Sequence, residues 1–122
     1  MDREAVGTAD LGRLHVEVTQ RAGSAVFTPA GELDHHTADV LAVPLDEAID
    51  AGAIRLVIDC SRLAFCDSTG LNVLLGARLR VAAQGGAVHL AAMQPTVARV
   101  FEITGADAVF VLHDTVEQAL QE

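Results

Sequence analysis

The segment Leu63-Ala64-Phe65-Cys66-Asp67-Ser68-Thr69-Gly70-Leu71 sets a carboxylate, two hydroxyls and a glycine in succession ahead of an apolar run. Two chemistries suit that order. Ser68 in front of a helix is placed as an N-cap, its oxygen accepting from the free backbone N–H groups of the first turn. An exposed hydroxyl at the same place is also a phosphoryl acceptor, and a phosphate adds about −1.5 to −2 charges with three acceptor oxygens. A helix start tolerates that charge. Modification would therefore change what docks there without unfolding the domain. Local pattern favours capping, because Asp-Ser-Thr-Gly before an apolar run is a frequent helix start.

Other reactive residue types carry less. His35-His36 are adjacent, so their rings point apart, and no cysteine or carboxylate set completes a tetrahedral metal site. Cys60 and Cys66 lack CxxC spacing and read as packed, reduced thiols. Asp67-Ser68 with His89 would resemble a hydrolase constellation, but no GxSxG elbow or oxyanion hole accompanies it. Gly85-Gly86 follows a helix, whereas a phosphate-binding loop needs its glycines before one.

Elements must bring these residues together. Leu14, Val16 and Val18 alternate with His15, Glu17 and Thr19, the pattern of a half-buried strand. A turn at Arg21-Ala22-Gly23-Ser24 leads to a second strand from Ala25, closed by Gly31-Glu32-Leu33-Asp34, and the two strands pair most simply as an antiparallel hairpin. Ala38, Leu41, Ala42, Leu45, Ala48 and Ile49 follow a helical period, with Asp34 or Thr37 as cap, Pro44 as an expected kink or late start, and Gly52 as stop. Ile54–Cys60 reads as a strand buried on both faces. A loop from Ser61 to Asp67 enters a helix with apolar Leu71, Leu74, Leu75 and Leu79. Val88–Met93 is the next strand, Pro95–Ile103 a helix stopped by Gly105, Val109–Leu112 the last strand, and Val116–Leu120 a final helix capped by Asp114 or Thr115. Met93 and Phe101 read as core. The order ββαβαβαβα, with four helices, predicts an α/β fold. Its sheet is mixed and mostly parallel with right-handed crossovers, after an N-terminal antiparallel hairpin. Residues 1–12 show no period and read as a loose tail.

Composition narrows the function classes. The chain has 122 residues, enough for one domain. Hydrophobic residues make up 51% and aromatics 3%, without Trp or Tyr, so aliphatic side chains must build the core, and the scarcity of aromatics argues against a base-stacking platform. Seventeen acidic against eight basic residues give a net charge of −9, which disfavours nucleic acid and anionic membranes. The acidic start lacks an apolar signal segment, and no run spans a membrane, so a cytoplasmic protein is expected.

Three stretches, Gly31–Ala38, Phe65–Leu71 and Pro95–Phe101, resemble the signature segments of anti-sigma-factor antagonists. These are single STAS-domain proteins of bacterial partner-switching systems. The resemblance runs from Leu14 to Leu120, which makes residues 1–12 a tail and 13–122 the STAS domain. It implies a regulatory binding protein, not an enzyme, without cofactor or metal. Its unmodified form would bind an anti-sigma factor that is also an ATP-dependent serine kinase, freeing a sigma factor. Phosphorylation at Ser68 would end that binding, and a PP2C-type phosphatase would restore it. The docking surface implied is Asp34, His35, Asp67, Ser68, Thr69, Gly70, Leu71 and Asn72, on a monomer. Asn72 stands where the family often has glycine, and Cys66 where it has a plain apolar residue. The alternative reading is a STAS scaffold or sensor-complex protein, or a small-ligand-binding STAS domain.

Overall fold

The computed structural model describes residues 5–21 and 23–121. Residues 1–4 of the expected tail and Ala22 of the expected turn lie outside them. Seven strands form one mixed sheet: β1 Ala5–Leu11, β2 Leu14–Arg21, β3 Ser24–Leu33, β4 Arg55–Asp59, β5 Leu63–Cys66, β6 Ala87–Ala91 and β7 Val111–His113. The helices are α1 Ala38–Asp50, α2 Ser68–Ala82, α3 Pro95–Thr104 and α4 Val116–Gln121, with a 3-10 turn at Ala106–Ala108. The strand order is β1-β2-β3-β4-β6-β7. Pairings within β1-β2-β3 are antiparallel and all others parallel. The expected α/β class and mixed sheet are those observed.

The crossovers β3→β4→β6→β7 all advance in one direction, and right-handed crossovers then put α1, α2 and α3 on one face. Leu41, Leu45 and Ile49 of α1, Leu74 and Val81 of α2, and Val97 and Phe101 of α3 share one core with Leu14, Phe27, Leu56, Ile58 and Leu90 of the sheet. Each large side chain buried there contributes roughly 1.5–3 kcal/mol. Among the described residues the short α4 covers the other face, where Ala119 and Val116 meet Val57, Ala91 and Val26. No helix among the described residues is long and apolar enough to cross a membrane.

Four expectations are corrected. Residues 5–11 of the expected tail form β1, held by backbone pairing to β2 from Ala5↔Gln20 to Leu11↔Leu14. The Ser61–Asp67 loop contains β5, only four residues long, which a side-chain period cannot reveal because its burial runs in-out-out-in. The helix α1 starts at Ala38 and continues through Pro44, so that residue does not mark a late start. The missing N–H costs about 3 kcal/mol, and burial of Leu41, Leu45 and Ile49 offsets it. The last strand begins at Val111, because Ala106–Ala108 winds into the 3-10 turn after Gly105 enters the left-handed region at φ 79°.

β3 is ten residues long and serves two partners. Its first half, Ser24 to Phe27, pairs with β4, and its far end, Gly31 to Leu33, pairs with β5. The Leu63–Cys66 stretch is thereby brought beside the start of α1.

Candidate partner-docking site

Two loops meet at the carboxyl end of β3 and β5. The first joins β3 to α1. There Asp34 Oδ1 accepts from the N–H of His36 (2.9 Å) and of Thr37 (3.1 Å), and Thr37 Oγ1 accepts from the Asp34 N–H (2.9 Å) and donates to the Glu32 carbonyl (2.8 Å). Asp34 thus fixes the turn before α1, and Thr37 occupies the N-cap position without a side-chain cap bond. Arg13, in the β1–β2 turn, reaches Glu32 at 2.8 Å and Asp34 at 2.7 Å. Burial pushes the Asp34 carboxyl up, but the Arg13 guanidinium and the two N–H donors outweigh it and hold the group at about 2, against an ordinary 3.8.

That displacement sets a pH window. A carboxylate held below its ordinary pKa contributes stability that is complete above pH 4 and lost as pH falls toward 2. The urea midpoint of the chain is expected to fall between those values, and Asp34→Asn is expected to flatten that part of the profile. Parallel profiles for the two chains would contradict this role.

The second loop joins β5 to α2. The N-cap is Asp67, not Ser68: its Oδ1 accepts from the Gly70 N–H at 3.0 Å. Ser68 is the first residue of α2 and is exposed. The correction matters, because a carboxylate one residue earlier caps the helix and releases the Ser68 hydroxyl from that task. The two loops are tied by Asp67 N–H to the Leu33 carbonyl (3.1 Å) and by His35 Nδ1, 3.8 Å from Asp67 Oδ2.

Gly70 faces inward. A Cβ there would lie 2.6 Å from Leu33 Cγ and 3.1 Å from Cys66 Sγ, so only glycine lets the first turn of α2 settle on β3 and β5. Leu71 is buried at 5% exposure and is an anchor, not a contact surface. Asn72 is exposed one turn after Ser68 and shares its side of the helix. The buried stripe of α2 is Gly70, Leu71, Leu74, Ala77 and Val81, and Leu79, expected among the apolar positions, is 66% exposed. The outward surface therefore consists of His35, Asp67, Ser68, Thr69 and Asn72, with Asp34, Gly70 and Leu71 beneath it. Arg13, Glu32 and Phe65 belong to the same region and were not assigned from sequence. Phe65 is the signal that could have found the last of these: a rare aromatic, 48% exposed, paired in register with Glu32.

The remaining reactive residues fall elsewhere. The rings of His35 and His36 do not point apart as expected: both residues are exposed and their ring centroids are 3.9 Å apart; no group of three or more metal-ligating side chains exists among the described residues. Cys60 and Cys66 are buried free thiols, each pushed up to about 12, chiefly by burial. They are poor nucleophiles. His89 is on β6 with its Nδ1 3.0 Å from His113 Nε2. It shares the α4 face of the sheet, whereas α2 packs on the other, so no triad forms with Ser68.

Residues 15–119 match the model of the STAS domain. The chain belongs to the STAS-domain family. It is 32% identical over 110 residues to the anti-sigma F factor antagonist of Paenibacillus polymyxa, covering 89% of this chain and 94% of that one. It is 35% identical over 92 residues to the anti-sigma-B factor antagonist of Bacillus subtilis, covering 75% and 84%. Among solved structures it resembles unphosphorylated SpoIIAA, an anti-sigma factor antagonist (TM-score 0.71, 28% identity, 95% and 93% covered). It also resembles SpoIIAA of Bacillus in its phosphorylated form (TM-score 0.66, 27% identity, 96% and 97% covered). These relatives are named as regulatory proteins and not as enzymes, and this STAS domain is grouped with them.

Proposed function

We propose that this STAS domain is an anti-sigma factor antagonist of the bacterial cytoplasm, working as a monomer and switched at Ser68. In the unmodified state the surface of His35, Asp67, Ser68, Thr69 and Asn72 docks an anti-sigma factor that is also a serine kinase, and a sigma factor is released. In the kinase reaction Ser68 Oγ attacks the γ-phosphorus of ATP, ADP leaves, and the hydroxyl proton passes to a base of the kinase. Hydrolysis by a PP2C-type phosphatase returns serine and inorganic phosphate. The phosphate would stand beside the Asp67 carboxylate, on a chain already at −9. A partner closing over it would bury unpaired charge.

The observation that carries this reading is the exposed Ser68 hydroxyl at the first residue of α2, with Asp67 doing the capping. The names of the relatives and the existence of SpoIIAA in two phosphorylation states support it. The test is incubation with ATP and each candidate anti-sigma serine kinase of the source genome, followed by fragmentation mass spectrometry. One added phosphoryl group on the Ser68 peptide is expected. Its absence with every kinase that binds the chain would reject the switch.

A further inference from the structure

We propose, on the reading of Ser68 as the docking switch, that the outward side of α2 extends the same interface and seats an amphipathic helix of the partner, one whose apolar stripe is flanked by carboxylates. Helix α2 has two stripes of like spacing. Gly70, Leu74, Ala77 and Val81 run inward at steps of four, three and four residues. Ser68, Asn72, Leu75, Leu79 and Ala82 run along the opposite side at four, three, four and three. That is the spacing with which one helix offers a continuous seam to another. Beyond Ser68 and Asn72 the seam turns apolar: Leu75 is half-buried, while Leu79 and Ala82 are exposed. At 1.5 Å per residue it is about 21 Å long. It begins at the switch itself, so a partner seated on Ser68 has the whole seam within reach.

Shape and charge say what fits there. Gly76 lies beside the seam, one turn after Asn72, and a Cβ on it would meet nothing within 4 Å. Unlike Gly70, it is not required by packing inside the domain, and a mid-helix glycine costs helix stability. Together with Ala82 it lets a second helix approach closely. Acidic residues outnumber basic ones by 17 to 8 in the chain, yet α2 contains none. Asp39, Asp46, Glu47 and Asp50 are in α1, Glu102 in α3 and Glu117 in α4, whereas α2 carries Arg78 and Arg80. Arg80 is paired with Asp46 and Asp50. Arg78, three residues after Leu75 and four before Ala82, flanks the seam. Its Nε donates to the Val109 carbonyl at 2.7 Å, and no carboxylate among the described residues pairs with its guanidinium. A carboxylate on the occupant supplies that pair. An apolar seam edged by such a cation matches a helix with acidic flanks. A second copy of α2 would bring arginines and no acid.

The test uses the full chain, labelled at its Leu and Ala methyl groups, and the anti-sigma serine kinase that binds it. Adding deuterated kinase is expected to shift the methyl signals of Leu75, Leu79 and Ala82 and to leave that of Leu120, on the far face of the sheet, in place. Leu79→Glu keeps a good helix former at an exposed position, so its melting temperature should stay close to that of the unmodified chain. It sets a carboxylate in the seam and is expected to weaken binding about tenfold or more, while Leu120→Glu binds normally. Arg78→Gln is expected to bind more weakly and with less sensitivity to sodium chloride. Ser68→Asp, measured alongside, separates two failures. Weaker binding by Ser68→Asp but not by Leu79→Glu would overturn the seam and leave the switch standing; the reverse would overturn the switch alone. If neither weakens binding, or no such kinase binds, both fall. A dimer of this chain that Leu79→Glu dissolves would give the seam to a second copy and overturn the proposal.

Discussion

Ser68→Asp is expected to leave the fold intact and to weaken binding to the anti-sigma factor by about 30- to 5,000-fold, the range for leaving one charge unpaired in an interface. Ser68 is exposed at the first position of α2, so the added carboxylate displaces no packed group. At a helix start a negative charge stabilises by about 0.3–1 kcal/mol, and the melting temperature should not drop. The companion Ser68→Ala should bind as the unmodified chain does, and kinase with ATP should no longer dissociate it. Calorimetric titration of the three chains against the partner, with melting curves alongside, separates lost docking from lost folding. Equal affinity for the Asp and Ala chains would show that charge at this position does not control association.

Gly31→Ala is expected to cost about 3 kcal/mol or more, lowering the melting temperature on the order of 10 °C. Two penalties coincide at this residue. Its φ of +117° is one that side-chain-bearing residues rarely adopt, and a Cβ would collide with the backbone carbonyl of Arg13. That carbonyl cannot yield cheaply, because it accepts the Glu32 N–H at 2.9 Å, while the Gly31 N–H is committed to the Arg62 carbonyl at 3.0 Å. Relieving the clash would move the β1–β2 turn and with it Arg13, which holds Glu32 and Asp34. The damage should therefore include the docking loop, visible as altered amide shifts at Asp34, His36 and Thr37 in folded Gly31→Ala. A chain with wild-type stability would show that the turn adjusts freely.

The core and the order of the long elements were legible because their residues repeat. Leu14, Val16 and Val18 alternate, and Leu41, Leu45, Ala48 and Ile49 follow the helical turn, so strand and helix announce themselves. β5 has no such signature in four residues; it exists because β3 has an unpaired far end for it to join. β1 likewise owes its place to backbone pairing with β2. At the site, the motif around Ser68 was readable but the division of labour within it was not. Both Asp67 and Ser68 are good capping residues, and choosing between them requires backbone angles. Asp67 is extended, with φ −97° and ψ −174°, whereas Ser68 already lies within α2. Arg13 could not be connected to Asp34 at all, since the two meet only after β1, β2 and β3 have folded back on one another.

Because β3 carries the first loop and pairs at its far end with β5, which carries the second, a partner meets an assembled platform instead of two independent arms. Rigid tethering of this kind spares association much of the ordering entropy that mobile recognition segments give up. Encounter should then proceed by a single kinetic phase, with the lifetime of the complex, more than the speed of its formation, carrying the difference between the two chemical states of the surface.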